Sequence, residues 1–211
     1  MTRSERTAAG EDIVRTARSL FSRRLTHGRT GNLSVRIPQG ILVTPTGSSL
    51  GTVTVGRLSL IDAQGRHLDG PTPSKEAALH AAVLRARPTA GAVVHTHSTH
   101  AAAVSCLAEL DPESTLPPLT AYFALRVGRL PLLPYYAPGD GRLADAAERA
   151  ARLGHAVLLR NHGPVVAGRD LATALDALEE LEETARLFLL LRGMATRPLT
   201  EAEQAALTPP A

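Results

Sequence analysis

The chain has 211 residues, 44% of them hydrophobic and 20% charged, which suits one globular domain with a sizeable core. Its formal net charge of +3 is built from 23 basic residues of which Lys75 is the sole lysine, with the arginines spread through helical segments; without a basic stripe or a known motif, this excludes nucleic acid as the expected partner. No stretch approaches the roughly 18 uncharged apolar residues of a membrane span, and Met1 to Arg6 lack the apolar core of a signal peptide, so a cytoplasmic protein with no membrane partner is expected.

From Glu11 to Leu25, Ile13, Val14, Ala17, Leu20 and Phe21 recur at helical spacing, and the helix should stop near His27 and Gly28. Leu33 to Ile37 and Ile41 to Thr44 read as two short strands joined by the turn Pro38-Gln39-Gly40. A loop from Pro45 to Ser49 follows, then a strand from Leu58 to Asp62. Ser74 is a natural cap for a helix from about Lys75 to Arg87, although Ala77 leaves the capping box incomplete. Ala92 to His95 reads as a buried strand, and Ser98 or Thr99 caps a helix over about 99–108. Cys106 lies in that helix and reads as a small buried apolar residue; a lone cysteine can form no intrachain disulfide and fits a reducing compartment. The stretch 111–139 is proline-rich and holds Tyr122, Tyr135 and Tyr136. A helix from Arg142 to Arg152, strands at Ala156 to Arg160 and Val165 to Ala167, and a long helix from Asp170 to Arg192 complete the pattern. The core therefore spans about 11–193 of a single domain over 1–211, and 194–211 reads as a loose tail. Helices and strands alternate irregularly with hairpin-like pairs, which argues for an α/β fold with a mixed sheet covered by helices.

Three histidines stand out. His95 and His97 are two apart at the end of an apolar strand, where positions i and i+2 share a face. His162 sits in a tight loop after the buried strand residues Val157 to Leu159. If the two strands are neighbours, three neutral imidazoles converge and leave a coordination position open, the arrangement of a catalytic metal site. Glu76, in the first turn of its helix, reads either as an acid favoured by the helix dipole or as a general acid/base beside the metal. Gly31-Asn32, Thr46-Gly47 and Ser74-Lys75 offer backbone donors, side-chain donors, a helix start and one positive charge, which are the elements of a phosphate pocket.

Taken together, Gly31 to Arg36 (Gly-Asn-Leu-Ser-Val-Arg), Thr44 to Gly47 (Thr-Pro-Thr-Gly), Pro73 to Glu76 (Pro-Ser-Lys-Glu), Val94 to His97 (Val-His-Thr-His) and Asn161 to Pro164 (Asn-His-Gly-Pro) resemble the class II aldolase/adducin family in order and spacing. The resemblance implies that family's three-layer fold with a central, mainly antiparallel sheet. It implies a divalent ion, zinc or alternatively manganese or cobalt, held by His95, His97 and His162, with Glu76 as acid/base and a fourth ligand of the resting site. It implies a pocket for a substrate phosphate made by Asn32, Thr46, Gly47, Ser74 and Lys75. Lys75 is a departure, since fuculose-phosphate aldolases carry a second serine there. Members of the family are commonly homotetramers with a tyrosine donated across the subunit boundary, a part that Tyr122 or Tyr136 could play. Adducin-like members lose the histidines; this chain keeps all three, which points to an enzyme acting on a small phosphorylated sugar or sugar acid.

Within the family, His95 to His100, Leu116 to Thr120, Leu132 to Tyr136 with Gly139 and Asp140, and Asn161 to Gly168 resemble the branch that decarboxylates 3-oxo-tetronate 4-phosphates. The implied reaction releases carbon dioxide and leaves a metal-stabilised enediolate that becomes dihydroxyacetone phosphate. A fuculose-phosphate-like aldolase or a pentulose-phosphate 4-epimerase is the alternative. His100 is a candidate for contacting the substrate carboxylate, against a supporting role at the helix terminus.

Overall fold

The structure, a computed structural model, describes residues 3–207. It opens with helix α1 (Arg3–Ser22), which begins eight residues before the expected start at Glu11; the first two turns are mostly polar in sequence and so show no apolar period. Its apolar stripe, Ile13, Ala17 and Leu20, is fully buried against the sheet. Strands β1 (Asn32–Ile37), β2 (Gly40–Val43), β3 (Ser59–Ile61) and β4 (His67–Asp69) form an antiparallel meander. Strand β4 is exposed at every residue and has no apolar alternation, so the sequence pattern does not reveal it.

Helix α2 (Ala77–Ala86) leads to β5 (Ala92–His95), which pairs antiparallel with β1 and brings Asn32 opposite His95. Helix α3 (Thr99–Ser105) follows. The proline-rich stretch then yields helix α4 (Ala121–Arg126), capped by Thr120 and anchored by the buried Phe123, and strand β6 (Leu132–Leu133). After helix α5 (Gly141–Ala151), strands β7 (Ala156–Leu159) and β8 (Pro164–Gly168) form a hairpin, and helix α6 (Leu171–Leu190) crosses back over the sheet. The eight strands lie in the order β4-β3-β2-β1-β5-β8-β7-β6, antiparallel throughout except for the parallel pair β6 and β7. The expected mixed, mainly antiparallel α/β sheet is what the structure contains.

Alternation along the strands builds two cores. Leu33, Ile37, Leu42, Val94, Leu158 and Val166 face α1, α3, α4 and α6; Ile41, Val43, Val93, Val157, Leu159 and Val165 face α2 and α5. Two expectations fail. Cys106 is exposed, because it is the C-terminal cap of α3 and not part of its buried face. The segment after Gly193 is not wholly loose: Thr200 and Glu203 form a reciprocal capping box that starts helix α7 (Glu201–Ala205), and Leu199 N–H donates to the Pro118 carbonyl. Residues 208–211 lie outside the described part. Among the described residues, no helix is long and apolar enough to cross a membrane.

Candidate metal centre and active site

Antiparallel partners share a face of the sheet, so Asn32, Ser34, Val93 and His95 all lie on the side covered by α2. Helix α2 starts at that end of the sheet, with Glu76 at its N-cap position and not in its first turn. The Glu76 side chain caps no backbone group of the helix. It is 7% exposed and turned toward the strand ends, where Asn32 Nδ2 donates to Oε2 at 2.7 Å. Its other oxygen, Oε1, is buried and has no hydrogen-bond partner. The helix-terminus role therefore does not explain where this carboxylate points.

His95 ends β5, while His97 lies just beyond it in the connection to α3, so strand alternation alone does not place the second ring. His162 occupies the β7–β8 turn. That turn is drawn against the His95–His97 connection: Thr96 N–H donates to the Pro164 carbonyl, and Asn161 adopts a left-handed φ of 54°. Gly163 is required there, because a Cβ would sit 2.2 Å from the Thr96 carbonyl oxygen. On the other side Gly31, at φ 77°, passes so close to the His95 carbonyl that a Cβ would lie 2.8 Å from it.

The three rings converge through Nε2. His162 Nε2 is 2.9 Å from His97 Nε2 and 3.3 Å from His95 Nε2, and the donor atoms of the trio lie within 4.8 Å of one another. Glu76 Oε2 is 3.4 Å from His95 Nε2 and Oε1 is 3.3 Å from His162 Nε2. Four ligand atoms around a zinc-sized ion at about 2.0–2.1 Å stand about 3.3 Å apart. The spacings and the unpartnered Glu76 oxygen thus fit a divalent cation. His95 Nδ1–H donates to the Pro164 carbonyl at 2.8 Å, which fixes the tautomer and leaves Nε2 free to ligate.

Burial pushes His97 down to about 3 and His162 down to about 4, so both are neutral donors at ordinary pH. Burial works against the charge of Glu76, but the His95 ring, the Asn32 amide and His162 outweigh it and hold the carboxyl at about 2. The centre is thus three imidazoles beside an ionised carboxylate.

The phosphate-loop residues are brought together in part. A bridge between Pro45 and Pro73, with Thr46 N–H donating to Thr72 and Ser74 N–H to Thr44, sets the Thr46-Gly47 loop against the Ser74-Lys75 turn. Ser74 Oγ accepts from Glu76 N–H, and Lys75 is exposed. Thr46 and Gly47 also line a depression of about 510 Å³ with Arg29, Ser48, Ser49 and Arg57, polar residues that sequence reasoning passed over. Asn32 stands apart: its carboxamide is engaged on both sides, by Glu76 and by His80, and does not face the loops as a free donor.

His100 lies in the first turn of α3. Its Nδ1–H and its backbone N–H donate to Glu182 Oε1, and Ala101 N–H donates to Glu182 Oε2. Glu182, from α6, thus replaces Ser98 as the cap of α3. Tyr122 is 60% exposed on α4 with Arg126 over its ring, whereas Tyr136 packs partly against the α2–α5 core. Sequence reasoning missed His80, Ser34 and Glu182; the signal available for His80 was its place one helical turn after Glu76.

Residues 11–189 match the model of the class II aldolase and adducin N-terminal domain. The chain is 48% identical over 197 residues to the 3-oxo-tetronate 4-phosphate decarboxylase of Haemophilus influenzae, covering 93% of this chain and 94% of that protein. It is 34% identical over 186 residues to the L-fuculose phosphate aldolase of Escherichia coli K12, covering 88% and 84%. The crystal structure of YgbL from Klebsiella pneumoniae superposes with a TM-score of 0.93 at 44% identity, covering 96% of this chain and 99% of that one.

Proposed function

The chain belongs to the class II aldolase and adducin family, and from that membership we propose a divalent-metal-dependent lyase that converts a 3-oxo-tetronate 4-phosphate to dihydroxyacetone phosphate and carbon dioxide. The observation that carries the chemistry is the convergence of His95, His97 and His162 through Nε2 on a point that Glu76 also faces. The choice of substrate is supported by the full-length likeness at 48% identity, against 34% for the aldolase.

His95, His97 and His162, with Glu76, would hold the ion, and the donor set suits zinc, with manganese or cobalt as alternatives. When bound, the ion supplies a Lewis acid for the charge that develops on the substrate ketone as carbon dioxide leaves. Glu76, ionised and only 7% exposed, orients the water that delivers a proton to C2. Thr46, Gly47, Ser74 and Lys75 receive the phosphate, Lys75 as a charge and the loops as backbone and hydroxyl donors. Asn32 contributes by holding Glu76. We further read the protein as a cytoplasmic homotetramer in which the exposed Tyr122, rather than the partly packed Tyr136, reaches a neighbour's site, with His100 held by Glu182 at the rim.

A substrate panel tests the proposal. Offered the keto acid, the metal-loaded enzyme should release carbon dioxide and dihydroxyacetone phosphate. Chelation should abolish the activity, and elemental analysis of His95→Ala, His97→Ala and His162→Ala should show most metal lost. Efficient cleavage of a ketose phosphate with no decarboxylation would assign the protein to the aldolase side instead.

A further inference from the structure

We propose that His80 is a positioning residue for Glu76, acting through Asn32. His80 is completely buried on α2, one turn past Glu76, and crosses to the α2 side of β1. There it meets two residues of that strand at i and i+2: Ser34 Oγ lies 2.7 Å from Nδ1 and Asn32 Oδ1 lies 2.5 Å from Nε2. Asn32 Nδ2 in turn lies 2.7 Å from Glu76 Oε2.

The donors can be ordered along this chain in one self-consistent way. Asn32 Nδ2 donates to Glu76 Oε2, so the carboxamide turns its oxygen toward His80. Asn32 Oδ1 then needs a donor, which is His80 Nε2–H. Neutral His80 has a bare Nδ1, which accepts from the Ser34 hydroxyl. Ser34, His80 and Asn32 are 0%, 0% and 6% exposed, so no water can substitute for a broken link. Without His80, the Asn32 carboxamide oxygen loses the donor that orients it, and the group is free to turn over. Its oxygen would then face the Glu76 carboxylate, repel it, and turn it away from the histidines. A second tie keeps the two elements in register: Arg36, the next residue on the same face of β1, donates to the Leu84 carbonyl in the last turn of α2 and to the Ala90 carbonyl in the connection to β5.

This inference rests on Glu76 working beside the metal centre, but not on which phosphorylated substrate the enzyme takes. The first readout needs no turnover. Nitrogen-15 NMR of the metal-free protein should show His80 as the neutral Nε2–H tautomer; an Nδ1–H tautomer would overturn the ordering. The second uses any substrate that the wild type turns over. His80→Leu should lower kcat by about 10-fold to 100-fold, the lower part of the range for a general acid/base function, with KM changed little. His80→Gln, whose amide N–H can reach Asn32, should recover most of that loss. In an Asn32→Ala background the His80 substitution should cost nothing further. Equal rates for folded His80→Leu and wild type, or no rescue by glutamine, sink the proposal. If the leucine variant does not fold, the comparison passes to His80→Gln in the presence and absence of Asn32→Ala: additive losses there would sink it as well. An inactive wild type on the keto acid, with this coupling intact on a sugar phosphate, would instead count against the decarboxylase reading alone.

Discussion

Glu76 shows how much one side chain's surroundings can decide. By position it is the N-cap of α2, but its oxygens face Asn32, His95 and His162 and make no bond to the helix backbone. Glu76→Gln keeps the shape and removes the charge. It should lower turnover by about 10²-fold to 10⁴-fold while leaving the Ki of a phosphate inhibitor similar; near-normal turnover in a steady-state assay would return Glu76 to a purely local role. The shifted groups also set the acid stability of the metal-free chain. His97 and His162 are held near 3 and 4 in the fold and sit at 6.5 when unfolded, so below pH 6.5 the unfolded chain binds more protons. Glu76, held near 2 and ordinarily 4.5, works in the same direction: its stabilisation is present above pH 4.5 and is lost as pH falls toward 2. Thermal melts of the metal-free protein should therefore drop steadily from pH 7 to pH 4. A melting temperature flat across that range would show that the rings are not buried as neutral groups.

At the scale of elements, the site depends on three short junctions. Helix α2 starts where β1 begins and β5 ends, the β7–β8 turn folds onto the His95–His97 connection, and α3 is fastened to α6 by Glu182. That last fastening is a buried carboxylate accepting from two backbone N–H groups and from His100. Its removal leaves a helix start uncapped in the interior. Glu182→Leu should cost about 2 kcal/mol or more, given about 1 kcal/mol for a lost cap and more for bonds to a charged acceptor. Glu182→Gln should cost less, because one oxygen still accepts. Denaturant unfolding of the two variants gives the comparison, and equal stability of Glu182→Leu and wild type would show that the cap contributes nothing. By contrast, the half-exposed Arg85–Glu148 pair between α2 and α5 is worth little, as surface pairs usually are.

For the whole molecule, the proposed tetramer is the question, and the described surface exposes several large apolar side chains. Tyr122 and Leu125 are 60% and 50% exposed on α4, and Leu153 is 71% exposed after α5. Light scattering at micromolar concentration should give a mass near four times 22.2 kDa. A monomer with full activity would remove any part for a neighbour's tyrosine.

The sequence by itself determined the helical and strand periods of the main elements and the family, and it named His95, His97, His162 and Glu76 as the candidate site. These are local matters: apolar spacing sets the element type, and His-x-His or Asn-His-Gly-Pro are contiguous. The Thr200–Glu203 capping box and the Thr120 cap before Phe123 were not read from the sequence, because the polar tail around α7 and the proline density around α4 hid them. Only the tertiary structure decided the rest. Strand β4 has no apolar pattern because its residues are all exposed, so pairing with β3 is what makes it a strand. The placement of Asn32 between Glu76 and His80, and of Glu182 over α3, joins residues 44 to 82 positions apart. Such contacts leave no mark on local periodicity: a buried histidine or glutamate reads like any other helix residue until the facing element supplies its partner.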